Sequence, residues 1–234
     1  MTWQEFEQRF SIQLNEQQKQ AVQTVEGPVL LLAVPGSGKT TVLVTRLAYM
    51  IHCKGIDPRR ILTVTYTVAA TKDMAARFAA KFGPELAEQL EFRTINGICA
   101  KVLQYYGYRT GKTPHQLLND EKRIAGILAE IYQRVERVYP TDGDLKNIRT
   151  LITYIKNMML NEDEIEALDE GAECKISVIY REYCSKLKEL QMIDYDDQMV
   201  YAYVMLKKIP WLLEYFQELY PYICVDEAQD TSKI

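Results

Sequence analysis

The sequence contains no apolar run approaching the roughly 20 residues that a membrane-spanning helix needs, so a chain built on spanning helices is excluded. Its opening, Met1-Thr-Trp-Gln-Glu-Phe-Glu7, lacks the basic-then-apolar order of a secretory leader. The five cysteines (Cys53, Cys99, Cys174, Cys184 and Cys224) are scattered and odd in number. None of them shows zinc or iron–sulfur ligand spacing, and the expectation is reduced core thiols in a cytoplasmic protein. An excess of positive charge is missing too: the net charge is −4 and the pI about 5.4, which argues against a general nucleic-acid coat protein. There is no internal repeat and no low-complexity segment. What remains is an ordinary globular composition, 47% hydrophobic and 26% charged, over 234 residues. That length predicts one large domain or two modest ones with a real core. The charge is uneven: residues 1–107 carry +3, residues 108–190 carry −2 and residues 191–234 carry −5. Contact with a polyanion therefore has to be local, and the N-terminal part is the less hostile place for it.

One stretch organises the chain. The apolar run Val29-Leu-Leu-Leu32 predicts a buried parallel strand. It leads into Ala33-Val-Pro-Gly-Ser-Gly-Lys-Thr-Thr41, and Val42–Ile51 then shows helical apolar spacing. Strand, glycine-rich turn, Lys-Thr and helix form the context in which a P-loop acquires a mechanism. Gly36 and Gly38 let the backbone curl so that the turn of Pro35, Gly36, Ser37 and Gly38, with Lys39, Thr40 and Thr41 after it, binds the cofactor by facing its N–H groups to a phosphate at the positive end of the helix. Lys39 reaches the β- and γ-phosphates as a point charge, and the Thr40 hydroxyl can ligate Mg²⁺. The pattern's first glycine is replaced by Ala33.

Before this stretch the spacing predicts helices over about 2–10 and 16–25, with Asn15 as N-cap and Gln18 at the position that closes a capping box. After it come a strand over Ile61–Thr65, a helix over Ala69–Phe82 stopped by Gly83-Pro84, a short strand over Phe92–Thr94 and a helix over Ile95–Tyr105. Alternation of strands and helices predicts a parallel α/β sheet with helices on both faces. Between Gly107 and about Met192 the strand signals vanish. Ile124, Leu128 and Ile131, then Ile148, Ile152 and Ile155, then Ile176, Ile179 and Tyr183 step by threes and fours, which predicts three amphipathic helices. Asp194 is expected to cap a helix reaching Ile209, Trp211–Leu219 makes another, and Tyr222–Val225 reads as a strand again. The helical block at 108–192 is thus expected to be an all-helical insertion within a domain made of 1–107 and 193–234.

The returning strand delivers Asp226-Glu-Ala-Gln-Asp-Thr231 to the sheet's carboxyl edge. Alone, Asp-Glu after a strand serves equally well as the acidic start of a helix. Opposite a P-loop, Asp226 is placed to hold Mg²⁺ beside Thr40, and Glu227 to act as general base toward an attacking water.

Taken together these segments resemble, in order and over essentially the whole chain, the N-terminal part of a superfamily I DNA helicase of the UvrD/Rep/PcrA kind. Leu14-Asn-Glu-Gln-Gln18 is similar to the family's Q motif, which implies that Gln18 hydrogen-bonds adenine. Ala33–Thr41 resembles motif I, in which alanine at the first position is common. Thr63-Val-Thr-Tyr-Thr67 resembles motif Ia and Arg93-Thr-Ile-Asn-Gly97 motif Ib, and Asp194-Tyr-Asp-Asp197 resembles the segment that precedes motif II. Asp226–Thr231 resembles motif II itself, and the resemblance implies that Gln229 senses the γ-phosphate. It implies a RecA-like fold, ATP and Mg²⁺ as cofactors, and single-stranded DNA and its junction with duplex as the partner. Thr65, Tyr66, Thr94 and Asn96 are the residues it places against DNA. Motifs Ia and Ib depart from the family pattern, with Val68-Ala69 where Asn-Lys is usual and Ile95-Asn96 where Phe-His is usual. Tyr66 can stack on a base; without the resemblance the favoured reading is a core tyrosine at a strand end.

The family's later motifs, its second RecA-like domain and its arginine fingers lie past motif II, where this sequence stops. The expectation is a fragment that binds Mg-ATP weakly and turns it over negligibly, from a parent that is a 3′-to-5′ helicase or translocase and needs its C-terminal half. The alternative is a P-loop nucleotide switch that binds a protein through the insertion, and a simple nucleotide kinase is a third reading. Against both, 187 positions separate Lys39 from Asp226, room for an insertion that neither requires.

Overall fold

A computed structural model describes residues 1–34 and 36–231. In chain order the elements are helices α1 (Trp3–Phe10), α2 (Glu16–Gln23) and α3 (Lys39–His52), strand β1 (Ile61–Thr65), helices α4 (Val68–Phe82) and α5 (Pro84–Ala87), strand β2 (Glu91–Thr94) and helix α6 (Ile95–Thr110). There follow β3 (Gln116–Leu117), α7 (Glu121–Glu136), α8 (Asp142–Met158), α9 (Glu162–Ala167), α10 (Ile176–Glu189), β4 (Met192–Ile193), α11 (Tyr195–Lys208), α12 (Pro210–Leu219) and β5 (Tyr222–Val225). The chain divides into two compact units, one of residues 1–98 and 211–231 and one of residues 99–210. The second unit therefore takes in most of α6 and all of α11, more than the expected 108–192.

In the first unit, three parallel strands run in the order β2-β1-β5. All five residues of β1 are buried, as a parallel strand flanked on both edges should be. Along β5, Cys224 is buried while Ile223 and Val225 are exposed, so this strand is covered on one face. The core is aromatic: Phe6 stacks on Phe82, which also meets Phe10 and Phe78. Burying a side chain such as Phe6 or Phe78 contributes about 1.5–3 kcal/mol, and both are fully enclosed. Asn15 and Gln18 form the expected capping box at α2.

The expected strand at Val29–Leu32 is not formed. Residues 28–34 carry no regular structure, and Leu30 and Leu32 are 73% and 83% exposed. A strand exists only through the ladder of a neighbour, and among the described residues this run meets neither outer edge of the sheet, that of β2 or that of β5. The run pairs with none of the described strands, so its apolar pattern has nothing to act on.

In the second unit, α7, α8 and α10 pack on a core of Ile124, Leu128, Ile131, Ile148, Ile152, Ile155, Ile176, Ile179 and Tyr183. The periodicity predicted these faces. The two-stranded parallel sheet of β3 and β4 was not predicted: the Leu118 N–H donates to the Ile193 carbonyl at 2.8 Å, so two segments 75 positions apart are joined. Two-residue strands are too short for a period-2 signal to register.

Candidate functional site

The site residues belong to the first unit. At its centre is the turn into α3. Gly36 and Gly38 lie at φ +80° and +84°, a left-handed backbone that a side chain would strain. The Ser37 N–H donates to the Val34 carbonyl at 3.2 Å, which closes the turn. Gly38 is the N-cap of α3 and supplies no side-chain hydrogen bond, and no acid stands in the helix's first turn. The N-terminal amides of α3 and its positive dipole end are left for an external anion. Lys39 is the first helical residue, Thr40 the second, and both are half-buried; Thr41 is exposed. Pro35 lies outside the described residues.

Two features test the turn as a phosphate cradle. The Ser37 hydroxyl is buried and has no hydrogen-bond partner, a state that costs about 1–3 kcal/mol unless a ligand satisfies it. The left-handed φ of +80° and +84° at Gly36 and Gly38 disfavours any side chain there, which leaves the turn's backbone bare. The residues present therefore fit an anionic phosphate chain.

Gln18 does two jobs at once. Its Oε1 accepts from the Asn15 N–H at 3.0 Å, closing the capping box, and its Nε2 donates to the Ser37 carbonyl at 3.0 Å. The capping role and a place beside the P-loop are compatible because the amide has a separate donor and acceptor.

The far wall is the end of β5. The Asp226 N–H donates to the Val64 carbonyl at 2.9 Å, which fixes the acid at the sheet's carboxyl edge. Burial pushes the Asp226 carboxyl above the usual carboxylate range and the Glu227 charge adds to it; a backbone hydrogen bond and the Lys39 ammonium pull the other way. The two halves of the site, 187 positions apart in sequence, are thus electrostatically in touch. Glu227 is exposed and sits at φ +49°, a strained conformation of the kind that collects at functional sites. Gln229 Nε2 donates to Glu227 Oε2 at 2.6 Å.

The residues expected to meet DNA divide. Tyr66 is 62% exposed and is therefore not a core tyrosine. Thr65 is buried, and its hydroxyl bonds the Thr67 carbonyl at 3.1 Å and the Thr71 hydroxyl at 2.5 Å. It supports the start of α4 and presents no free group. Thr94 accepts from the Gly97 N–H at 3.0 Å and so caps the first turn of α6; Asn96 is half-buried in that turn.

Sequence reading passed over Arg46. It stands alone as a charge between Lys39 and His52 in an otherwise apolar and hydroxylic helix, and that isolation was the available signal.

The profile of the family described as UvrD/REP helicase N-terminal domain matches residues 14–234. The chain belongs to this family. It is 32% identical over 222 residues to the ATP-dependent DNA helicase PcrA of Bacillus subtilis. It is 30% identical over 220 residues to that of Leuconostoc citreum and over 221 residues to that of Staphylococcus epidermidis. Each alignment covers 94% of this chain and 29–30% of the relative, so the chain spans about three-tenths of the length of these curated relatives. The family places the α/β sheet and its P-loop in a RecA-like fold. Among the described residues, no helix is long and apolar enough to cross a membrane.

Proposed function

We propose that this chain is the Mg-ATP-binding N-terminal portion of a DNA helicase or single-stranded DNA translocase. The observation that carries the reading is the open N-terminus of α3, where a partnerless Ser37 hydroxyl and two left-handed glycines stand opposite Asp226. In this reading the backbone from Gly36 to Thr41 cradles the phosphates. Lys39 holds the β- and γ-oxygens as a point charge. Thr40 and Asp226 would hold Mg²⁺, which when bound neutralises charge on the β- and γ-phosphates. Gln18 reads the adenine. Glu227 takes a proton from the attacking water at its carboxylate, and Gln229, hydrogen-bonded to that carboxylate, orients the base and reports on the γ-phosphate.

The parent protein is proposed to step 3′-to-5′ along single-stranded DNA in repair, replication or recombination in the cytoplasm, with Tyr66 as a base-stacking platform. The helical block at 108–192 is proposed as the insertion into the domain of 1–107 and 193–234. Activity needs the C-terminal half that the relatives carry, so the 234-residue chain binds nucleotide and turns it over negligibly. Two measurements test the reading. Calorimetry of this chain with Mg-ATP should give weak saturable binding, and its absence removes the assignment of the cradle. ATP turnover by the parent should rise with single-stranded DNA and lose that response in high salt; indifference to DNA moves a P-loop switch with a protein partner to the front. Glu227→Gln should keep Mg-ATP binding and stop turnover in the parent.

A further inference from the structure

Three of the elements that carry the site come together on one guanidinium. Arg46, half-buried on α3, points away from the P-loop turn toward the other end of α2. Its Nη1 donates to the Ala21 carbonyl at 2.6 Å and also to the Thr24 carbonyl, and its Nη2 donates to the Val25 carbonyl at 3.4 Å. These are the orphan acceptors at the C-terminal end of α2 and just beyond it. The last turn of α2 has no cation of its own, so α3 supplies from outside the positive charge that a helix C-terminus favours. The same guanidinium acts on the Cys224 thiol of β5, two residues before Asp226, its charge opposing the upward push of burial on that thiol. At the opposite end of α2, Gln18 reaches the Ser37 carbonyl. Helix α2 is thus held to the P-loop helix at both ends, by Gln18 at the nucleotide and by Arg46 about a turn and a half further along α2.

We propose that Arg46 is a positioning residue for nucleotide-base selection: by clamping the C-terminal end of α2 to α3 it fixes Gln18 relative to the P-loop. The inference rests on the reading of Gln18 as the adenine contact and adds a residue that touches neither base nor phosphate. A fork of planar donors suits the task, because it satisfies three carbonyls at once with little loss of side-chain freedom. Residues that hold the P-loop itself, Lys39 and the glycines, lie about two turns away at the start of α3, so loss of the clamp acts on the base and spares the phosphates.

The test compares ATP with GTP binding in Mg²⁺ for the wild-type chain, Arg46→Ala, Arg46→Lys, Gln18→Ala and the Gln18→Ala/Arg46→Ala double variant. Arg46→Ala should lower the ATP-over-GTP preference by about tenfold, the worth of one hydrogen bond, with GTP affinity nearly unchanged. Arg46→Lys, which keeps the cation and loses the fork, should show the same change at smaller size, and it serves where the alanine variant fails to fold. In the Gln18→Ala background the Arg46 change should leave the preference where it is, because coupled residues are not additive. Equal weakening of ATP and GTP, or a further loss of preference in the double variant, overturns the inference. Hydrogen exchange of the nucleotide-free chain supplies a second readout: α2 amides should exchange at least about tenfold faster in Arg46→Ala while α1 is unchanged. Unchanged α2 protection overturns the clamp whether or not nucleotide binds. Failure of the wild-type chain to bind ATP overturns the proposed function and leaves the exchange result standing.

Discussion

The two compact units differ in how completely they satisfy themselves. In the helical unit, Asp120 caps α7, Thr141 and Asp144 box the start of α8, and Asn161 and Glu164 do the same for α9. Helix α10 has no cap of its own, yet Asp169 accepts from both the N–H and the hydroxyl of Ser177 at 2.8 and 2.6 Å. Even its buried cation is matched: Lys156 Nζ lies 2.7 Å from Asp194 and 2.8 Å from Asp197, and the Tyr183 hydroxyl donates to Asp194. In the α/β unit several open features gather at one place. The N-terminus of α3 has no side-chain cap, the Ser37 hydroxyl has no partner, Glu227 is strained and an apolar run lies exposed. Structural regions resolve their polar groups internally, whereas a binding region keeps donors open and stores strain. Each mark also occurs singly elsewhere, in the unpartnered Thr45, Thr63 and Asn157 side-chain atoms and the left-handed Arg137 and Met159; what sets the turn into α3 apart is that an uncapped helix start, two left-handed glycines and an orphaned hydroxyl coincide there.

The contrast can be broken in a graded way. The largest effect is expected at Lys156. Lys156→Ala strands two carboxylates in the helical unit and should cost about 3–5 kcal/mol in urea unfolding, while Mg-ATP binding by the other unit stays. Burial alone would lower the Lys156 pKa, but Asp194 and Asp197 outweigh it and raise it above the usual 10.5. On the basic side the ion pair therefore fades only as pH rises past the raised lysine value, and on the acid side it is lost as its carboxylates protonate, Asp197 being pushed upward by burial; a loss of the contribution near neutrality would contradict the assignment.

Next comes Lys39→Ala, which removes a charge-assisted contact. Calorimetry should show Mg-ATP affinity down by roughly 10–100-fold, with thermal unfolding of the chain nearly unmoved. A large drop in melting temperature would instead make Lys39 structural. Asp120→Ala deletes two side-chain acceptances at the start of α7 and should cost about 1 kcal/mol, readable as a shift in urea midpoint. The smallest effect is expected for Leu30→Ser. Its side chain is already in water, so stability of this chain should change by no more than about 0.5 kcal/mol. A cost comparable to that of a buried leucine would show that the run is covered after all.

The helical unit was legible because its signals are local. A face of Ile148, Ile152 and Ile155, or a box of Thr141 and Asp144, is complete within one turn or a few. The caps of α2 and α11 were foreseen for the same reason. The glycine-rich turn, Lys39 and the Asp226-Glu227 pair were legible as residue types whose chemistry demands that order. What escaped was set by distant partners. The run at Val29–Leu32 has the pattern of a strand, but pattern does not provide an adjacent edge. The β3–β4 pairing and the reach of Arg46 across to α2 depend on segments meeting that the sequence does not mark as neighbours.

The amino-acid order by itself determined the alternation of strands and helices, the helical block, and which residues stand in the glycine-rich turn, because backbone propensity, apolar period and turn chemistry all act over a few positions. Only the tertiary structure decided that Gln18 both caps its helix and touches the P-loop, that Lys39 acts on Asp226, that Tyr66 is exposed while Thr65 is not, and that one arginine holds α2 to α3. Those outcomes depend on which group reaches a donor, an acceptor or water first, and that competition is settled only when the chain is packed.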